Sequence, residues 1–132
     1  IGRATVLKEG SDVTLLACGI MTAKALEAAG ILAQEGISAE VINVGTIKPL
    51  DRETILTSLK KTGRAVTAEE HSIIGGLGSA VSELTAEELP VPVLKLGIRD
   101  TFGESGNPEE LLVAYGLTAE EIAGKARAVC AL

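Results

Sequence analysis

An apolar strand pattern turns directly into charged residues and glycines in the segment Thr67-Ala68-Glu69-Glu70-His71-Ser72-Ile73-Ile74-Gly75-Gly76-Leu77-Gly78-Ser79-Ala80-Val81. This segment holds the only histidine of the chain, a pair of carboxylates and a cluster of glycines. Residues 65–68 are predicted to form a strand, and residues 76–88 a helix that ends before Pro90. A strand, a glycine-rich turn and a helix in succession are typical of a parallel α/β sheet.

The same alternation extends in both directions from this segment. Strands are predicted over residues 13–17, 39–44 and 93–96, and helices over residues 21–34, 107–116 and 118–129. Asp51 is the predicted N-cap of a further helix that Gly63 ends, and Leu50 and Ile55 would form its hydrophobic staple. Thr118 and Glu121 form a capping box, and Leu117 can pack on Ile122.

Residues 4–7 are predicted to form a short antiparallel strand. They are separated from the strand at residues 13–17 by Glu9-Gly10-Ser11-Asp12, a sequence typical of a hairpin turn. Right-handed crossovers between the other strands limit the topology to a doubly wound layout. The sequence therefore predicts a three-layer, Rossmann-like α/β domain. Its five-stranded sheet would be mostly parallel with one antiparallel edge strand, and helices would cover both faces.

Length and composition predict one domain over residues 1–132, because 46% hydrophobic residues can furnish a full core and no linker or repeat interrupts the pattern. No apolar run approaches the roughly 20 residues that span a bilayer, and no signal peptide is recognisable. We therefore expect a soluble, cytoplasmic domain without a membrane partner. The chain begins Ile1-Gly2-Arg3 without a methionine, so we expect a fragment of a larger subunit.

The charge and the rare residue types exclude several classes of function. A net charge of −6, with Phe102 and Tyr115 as the only aromatic residues, argues against nucleic acid as a partner. Cys18 and Cys130 are too few for a disulfide framework and too far apart for a CxxC motif. Together with a single histidine they make a zinc site improbable, and Cys18 is interpreted as a small thiol packed at the end of a strand.

Glu69, Glu70 and His71 follow the third parallel strand, at the edge of the sheet where ligands bind in open α/β folds. A glutamate beside a histidine could orient its ring as a general base. The alternative is structural: polar residues at a strand end form hydrogen bonds with the backbone of the neighbouring loop and fix the turn. The structural alternative is favoured, since no nucleophile stands at motif spacing. Lys48 and Arg99 are interpreted as solvated or ion-paired loop charges.

The glycine cluster resembles a dinucleotide fingerprint only in part. Gly76 and Gly78 have the spacing of its first two glycines, but Val81 stands at the third position and no ribose-binding acid follows at the expected distance. We interpret Gly75, Gly76 and Gly78 as sites of close backbone approach, whose N–H groups could also hold an anion. The large apolar residues Ile73 and Ile74 in a predicted loop indicate an interface with a neighbouring domain or a second copy.

Several segments, in this order and at these spacings, resemble the C-terminal domain of transketolase between about Gly10 and Ile122. They are the segment quoted above, Thr46-Ile-Lys-Pro-Leu-Asp51, Leu96-Gly-Ile-Arg-Asp-Thr-Phe-Gly-Glu-Ser-Gly106 and Tyr115-Gly-Leu-Thr-Ala-Glu-Glu-Ile122. The resemblance implies a cytoplasmic, homodimeric transferase of the pentose phosphate pathway that moves a two-carbon ketol unit between sugar phosphates. Its thiamine diphosphate and divalent metal would bind to an N-terminal domain and a middle, pyrimidine-binding domain.

The resemblance assigns no catalytic, cofactor or metal residue to this sequence. The family's Gly-Asp-Gly segment, the asparagine after it and the activating glutamate of the middle domain are not found here, and neither Glu69 nor Glu70 can replace that glutamate. The domain is expected to pack on the other two domains and to contribute to the dimer.

Two alternatives remain. Deoxyxylulose phosphate synthase and the β subunits of 2-oxo acid dehydrogenases have related C-terminal domains, and in the dehydrogenases this domain docks a partner acyltransferase. A different class of function is a free-standing α/β domain that binds an anion or a nucleotide at its sheet edge.

Overall fold

The computed structural model describes residues 3–72, 76–98 and 116–132. Nine helices and strands lie within these ranges, in the order β1 Ala4–Lys8, β2 Val13–Ala17, α1 Met21–Gln34, β3 Ala39–Val44, α2 Arg52–Thr62, β4 Ala65–Ser72, α3 Leu77–Glu88, β5 Val93–Ile98 and α4 Ala119–Cys130. The helix predicted over residues 107–116 falls outside them, apart from Gly116, which has a φ of 71°. Within the described ranges, no helix has the length and hydropathy needed to cross a membrane.

The strands form one five-stranded sheet in the order β1-β3-β2-β4-β5. Strands β2, β3, β4 and β5 run parallel, with Leu15 of β2 opposite Val41 on one side and Val66 on the other. Strand β1 runs antiparallel at one edge of the sheet. The predicted mostly parallel sheet with one antiparallel edge strand is confirmed.

The predicted hairpin between β1 and β2 is wrong. Strand β1 pairs with β3, with Ala4 opposite Val44 and Val6 opposite Ile42, because both edges of β2 are already occupied by β3 and β4. Gly10 lies against the start of β3, where a Cβ atom would come within 2.2 Å of the Ala39 carbonyl carbon. The predicted turn therefore carries the chain past β3 and does not fold β1 back onto β2.

Successive side chains of a strand point to opposite faces, so the sheet has two faces that must be covered. Two helices pack on each face. Helices α1 and α4 cover one face, and α2 and α3 the other. The first core includes Val13, Leu15, Ala25, Leu32, Val41, Val66, Ile122 and Val129. The second core includes Leu16, Ile42, Val44, Ile55, Leu59, Leu77, Val81 and Leu84.

The helix caps predicted from the sequence are present. The Asp51 carboxylate accepts a hydrogen bond from the Thr54 backbone N–H at 3.2 Å, and Gly63, with a φ of 75°, ends α2. Thr118 accepts the Glu121 N–H at 3.2 Å at the start of α4. These contacts satisfy amides that have no partner within their own helix.

A buried polar network joins the amino-terminal ends of β2 and β3 to α2. The Thr14 hydroxyl forms hydrogen bonds with Ser58 Oγ at 2.8 Å and with Thr62 Oγ1 at 2.7 Å. Glu40, 2% exposed, accepts hydrogen bonds from the Gly10 N–H and the Lys61 ammonium. Burial alone would raise the pKa of Glu40, but the hydrogen bonds from Lys61, Ser58 and Gly10 hold it below its ordinary value.

Candidate functional site

Strand β4 continues through Ser72, four residues beyond the strand predicted from the sequence. Glu69, Glu70 and His71 therefore belong to the strand itself, at the edge of the sheet where β2, β3, β4 and β5 all have their carboxyl ends. We call this the carboxyl edge. Side chains alternate along a regular strand, but the pairing of β4 with β5 shifts register between Ala68 and Ser72, so the contacts of Glu69 and Glu70 must show where each one lies.

Glu69 binds the first turn of α3. Its side chain is fully buried, and its two carboxylate oxygens accept the backbone N–H groups of Leu77 and Gly78, each at 2.8 Å. Gly76 is the N-cap of α3 and cannot supply a side chain for this purpose. A carboxylate at a helix N-terminus also interacts favourably with the helix dipole. For Glu69, the structural alternative for the Glu69-Glu70-His71 motif predicts hydrogen bonds of this kind with neighbouring backbone. At these two amides, the anion is the chain's own carboxylate.

Glu70 lies on the other face, against the start of α1. A Cβ atom on Gly19 would come within 2.9 Å of Glu70 Oε1, and Gly19 has a φ of 61°, which favours glycine. Ile20, the N-cap of α1, has no side chain that could accept a hydrogen bond. The paired glutamates thus lie at the starts of two different helices, one on each face of the sheet.

Cys18 lies at the end of β2, close to both glutamates. Its thiol is half-buried, and burial raises its pKa, with the negative charges of Glu69 and Glu70 raising it further. A thiol held protonated is a poor nucleophile. Cys18 is therefore disfavoured as the nucleophile of covalent catalysis.

Gly78 allows α3 to approach the sheet closely, as the sequence predicts for the glycine cluster. A Cβ atom on Gly78 would lie 3.0 Å from Thr67 Oγ1 and 3.0 Å from the Lys95 side chain. Thr67 is fully buried, and its hydroxyl has no hydrogen-bond partner among the described residues. No pattern in the sequence indicated that Lys95 takes part in this packing.

Several predicted residues lie outside the described residues. These are Ile73, Ile74 and Gly75 of the apolar loop, with Arg99, Asp100, Phe102 and the helix start at Asn107. The His71 backbone belongs to β4, but its side chain lies outside the description. The predicted interface at Ile73 and Ile74 therefore stays a prediction.

A groove of about 280 Å³ opens at the carboxyl edge between the loop before α2 and the first turns of α3. Its apolar surface includes Ile47, Leu50, Ala80 and Leu84. Charged residues line it as well, namely Lys48, Arg52, Glu83 and Glu87. Arg52 forms an ion pair with Glu88 on α3, so its charge is already compensated. We call this feature the edge groove.

No three histidine, cysteine, aspartate or glutamate side chains in residues 3–72, 76–98 and 116–132 are grouped so that they could hold a metal ion. In the described part of the chain, the two buried carboxylates, Glu40 and Glu69, are bound by donors of the chain itself. We derive no reaction step through a cofactor at these residues.

The chain is a Rossmann-like α/β domain whose sheet has one antiparallel edge strand. At the carboxyl edge of this sheet, the Glu69 carboxylate binds the first turn of α3. The family described as "Transketolase, C-terminal domain" matches residues 2–122 of the chain. The chain belongs to this family, as the resemblance read from its sequence predicts.

Known proteins similar to the chain carry the same domain. A 6-deoxy-6-sulfo-D-fructose transketolase subunit, SqwH, of Clostridium sp. (strain MSTE9) is 54% identical over 129 residues, which cover 98% of this chain and 40% of that protein. The 1-deoxy-D-xylulose-5-phosphate synthase of Heliobacterium modesticaldum is 46% identical over 128 residues, which cover 96% of this chain and 20% of that enzyme.

A solved structure described as a split-gene transketolase in an inactive beta4 tetramer superposes with a TM-score of 0.95 at 56% identity. The match covers 99% of this chain and 43% of the other. The chain thus spans two fifths or less of the curated relatives above and less than half of the solved chain.

Proposed function

We propose that this chain is the C-terminal domain of a transketolase, an enzyme that transfers a two-carbon ketol unit between sugar phosphates. Thiamine diphosphate and its divalent metal bind to the N-terminal and pyrimidine-binding domains of that enzyme. The present domain packs against those domains and contributes to a homodimer. It supplies structure to the enzyme and no group to the reaction.

The contacts of the Glu69 carboxylate support the proposal that this domain supplies structure. A catalytic carboxylate must be free to accept a proton or to bind substrate. Both oxygens of Glu69 are instead occupied by the Leu77 and Gly78 amides, in a fully buried position. The nearby thiol of Cys18 has a raised pKa. The strongest polar motif of the sequence is thus used to fix α3 on β4.

The relatives support the enzymatic part. Two of them are a transketolase subunit and a synthase, and each contains a large region beyond the one that this domain matches. The transketolase family depends on thiamine diphosphate, and among the described residues no three histidine, cysteine, aspartate or glutamate side chains are grouped so that they could hold its metal ion. Both observations are explained if other domains of the enzyme bind the cofactor and this domain does not.

Calorimetric titration with thiamine diphosphate and magnesium tests the proposal. We expect no heat of binding to this chain, once circular dichroism has shown it to be folded, and micromolar binding to the complete enzyme. Micromolar binding to the chain alone would overturn the assignment of the cofactor to other domains. Failure of the complete enzyme to bind the cofactor would overturn the assignment to transketolase.

A second candidate is the C-terminal domain of a deoxyxylulose phosphate synthase, supported by the 46% identity over nearly the whole chain. The two candidates differ in the reaction of the complete enzyme. Assays that supply a ketose phosphate as two-carbon donor, or pyruvate in its place, distinguish them.

A further inference from the structure

The first residue of β1 is fixed beside the edge groove. The Ala4 backbone N–H donates a hydrogen bond to Asp51 Oδ2 at 2.8 Å, across 47 positions of sequence. Asp51 stands between Leu50 and Arg52, and both of these line the groove. Because β1 runs antiparallel to its neighbour, its start lies opposite Val44, near the carboxyl end of β3. Any polypeptide that precedes β1 therefore enters the domain at the carboxyl edge.

The surface of the edge groove is typical of a protein interface. Protein interfaces combine an apolar centre with a polar, solvated rim. The groove has apolar groups from Ile47, Leu50 and Ala80, with charged residues of both signs around them. Its volume of about 280 Å³ is at the lower limit of small-molecule pockets. It suits one or two apolar side chains of a partner better than a free metabolite.

The carboxylates that line the groove would repel an anionic metabolite. The carboxylates of Glu83 and Glu87 on α3 outnumber the Lys48 ammonium in its lining, and Arg52 is paired with Glu88. A sugar phosphate or nucleotide would have to displace that pair or approach two carboxylates, which costs free energy at short distance. These charges disfavour a small anion as the occupant.

We propose that the edge groove is the docking site of the domain that precedes this one in the same subunit. The proposal rests on the proposed function, in which this domain is the C-terminal part of a longer subunit. Because the Ala4 N–H is bonded to Asp51 and Arg3 directly precedes Ala4, a preceding segment enters this domain beside the groove. Lys48, which is exposed in the domain described here, becomes covered when the preceding domain docks.

The reactivity of Lys48 in the native, full-length subunit tests this proposal. An amine-reactive acylating reagent is applied, and the rate at each lysine is measured by mass spectrometry, relative to the same lysine in the urea-unfolded subunit. Lys60 is the control, because it is exposed in the last turn of α2 and does not line the groove. We expect Lys48 to react at least tenfold more slowly than Lys60. Equal normalised rates would overturn the proposal.

A matched pair of variants locates the contact. Ala80→Trp fills the groove, whereas Ala86→Trp places the same side chain at an exposed position two turns later on α3. We expect Ala80→Trp to raise the Lys48 rate severalfold toward that of Lys60 and Ala86→Trp to leave it unchanged. The same rate in both variants would contradict docking in the groove, even if wild-type Lys48 were slow.

Two further outcomes separate the possible occupants. Protection of Lys48 only at subunit concentrations where a dimer forms would assign the groove to a second copy and overturn the proposal. A fast Lys48 in a subunit that binds thiamine diphosphate would remove this inference and leave the proposed function intact. Slow acylation of Lys48 in a subunit that does not bind thiamine diphosphate would support docking in the groove and overturn the proposed function.

Discussion

The Oε2 atom of Glu69 lies 2.8 Å from the backbone nitrogen of Gly78, nine residues later in the chain. The second carboxylate oxygen of Glu69 makes the equivalent contact with Leu77. A fully buried carboxylate at the end of a strand thus completes the first turn of the following helix. This relationship links the carboxyl edge of the sheet to the packing of α3, and several measurable consequences depend on it.

Replacement of Glu69 should destabilise the domain. Glu69→Ala leaves two amides without their acceptor, at about 1–3 kcal/mol for each buried group, so we expect a loss of about 2–6 kcal/mol. Glu69→Gln should lose less, because its amide oxygen can still accept one hydrogen bond. Glu87→Ala, an exposed change on the same helix, should stay within about 0.5 kcal/mol of wild type. Urea denaturation gives the three values, and similar midpoints for Glu69→Ala and Glu87→Ala would contradict the capping role.

Two threonines test the cost of an unpaired hydroxyl. Thr67 and Thr14 are both fully buried, but only the Thr14 hydroxyl has partners among the described residues. Thr67→Val should be neutral or stabilising by up to about 1 kcal/mol, because it removes a polar group without a compensating hydrogen bond. Thr14→Val should destabilise by about 1–3 kcal/mol, since it removes a buried hydroxyl that forms hydrogen bonds with Ser58 and Thr62. Thermal unfolding of the two variants should show shifts of opposite sign or clearly different size. Equal losses would mean that Thr67 has a partner in the folded protein.

Two helical glycines should respond in opposite directions to alanine. At Gly30 in α1 a Cβ atom meets nothing within 4 Å, so Gly30→Ala should stabilise by about 0.5–1 kcal/mol through helix propensity. At Gly78 the new atom would lie 3.0 Å from Thr67 Oγ1 and from Lys95 carbons, so we expect Gly78→Ala to destabilise by about 1 kcal/mol or more. Chemical denaturation of both variants decides. A stabilised Gly78→Ala would show that α3 can move away from the sheet at no cost.

The contribution of Asp51 should depend on pH. Its pKa is lowered, first by the hydrogen bond from the Ala4 N–H and then by those from Thr54. A carboxyl group with a lowered folded-state pKa stabilises the protein above its unfolded pKa of about 3.9, and this stabilisation is lost as the pH falls through the folded value. Asp51→Ala should therefore cost about 1 kcal/mol at pH 7. It should cost progressively less as the pH falls below about 4.

The measurement for Asp51 is the difference in unfolding free energy between wild type and Asp51→Ala at several pH values. Thr57→Ala, an exposed change on α2, serves as a control for general acid effects. A difference that stays constant from pH 7 to pH 3 would argue against a stabilising role of the charged carboxylate.

The sequence predicted the elements of this fold better than their pairing. Hydrophobic periodicity located Met21–Gln34 and Ala39–Val44 at the bounds that the structure gives, because burial of one helix face or of a whole strand leaves a local pattern. The pairing of β1 with β3 leaves no such pattern. It depends on the close approach of Gly10 to Ala39, across about thirty residues, and turn composition alone favoured a hairpin.

In the candidate site, too, the sequence predicted local features better than contacts between distant residues. The sequence indicated that polar residues at the end of β4 bind loop backbone, and Glu69 forms hydrogen bonds of this kind. It did not indicate that β4 continues to Ser72, since four polar residues end the apolar pattern before the strand ends. Nor could it show that Glu70 lies against Gly19, a contact between β4 and the turn after β2, which are neighbours only in the folded sheet.

The turnover of the complete enzyme with His71→Ala or Glu69→Gln tests the central claim, that this domain supplies structure and not chemistry. The rate must be measured per assembled enzyme, after ultracentrifugation has shown the fraction that forms the native oligomer. We expect lower stability or weaker assembly, with kcat per assembled enzyme within about threefold of wild type, a change of less than about 1 kcal/mol in the activation barrier. A hundredfold fall in kcat with normal assembly in either variant would contradict the claim and place the carboxyl edge in the reaction itself.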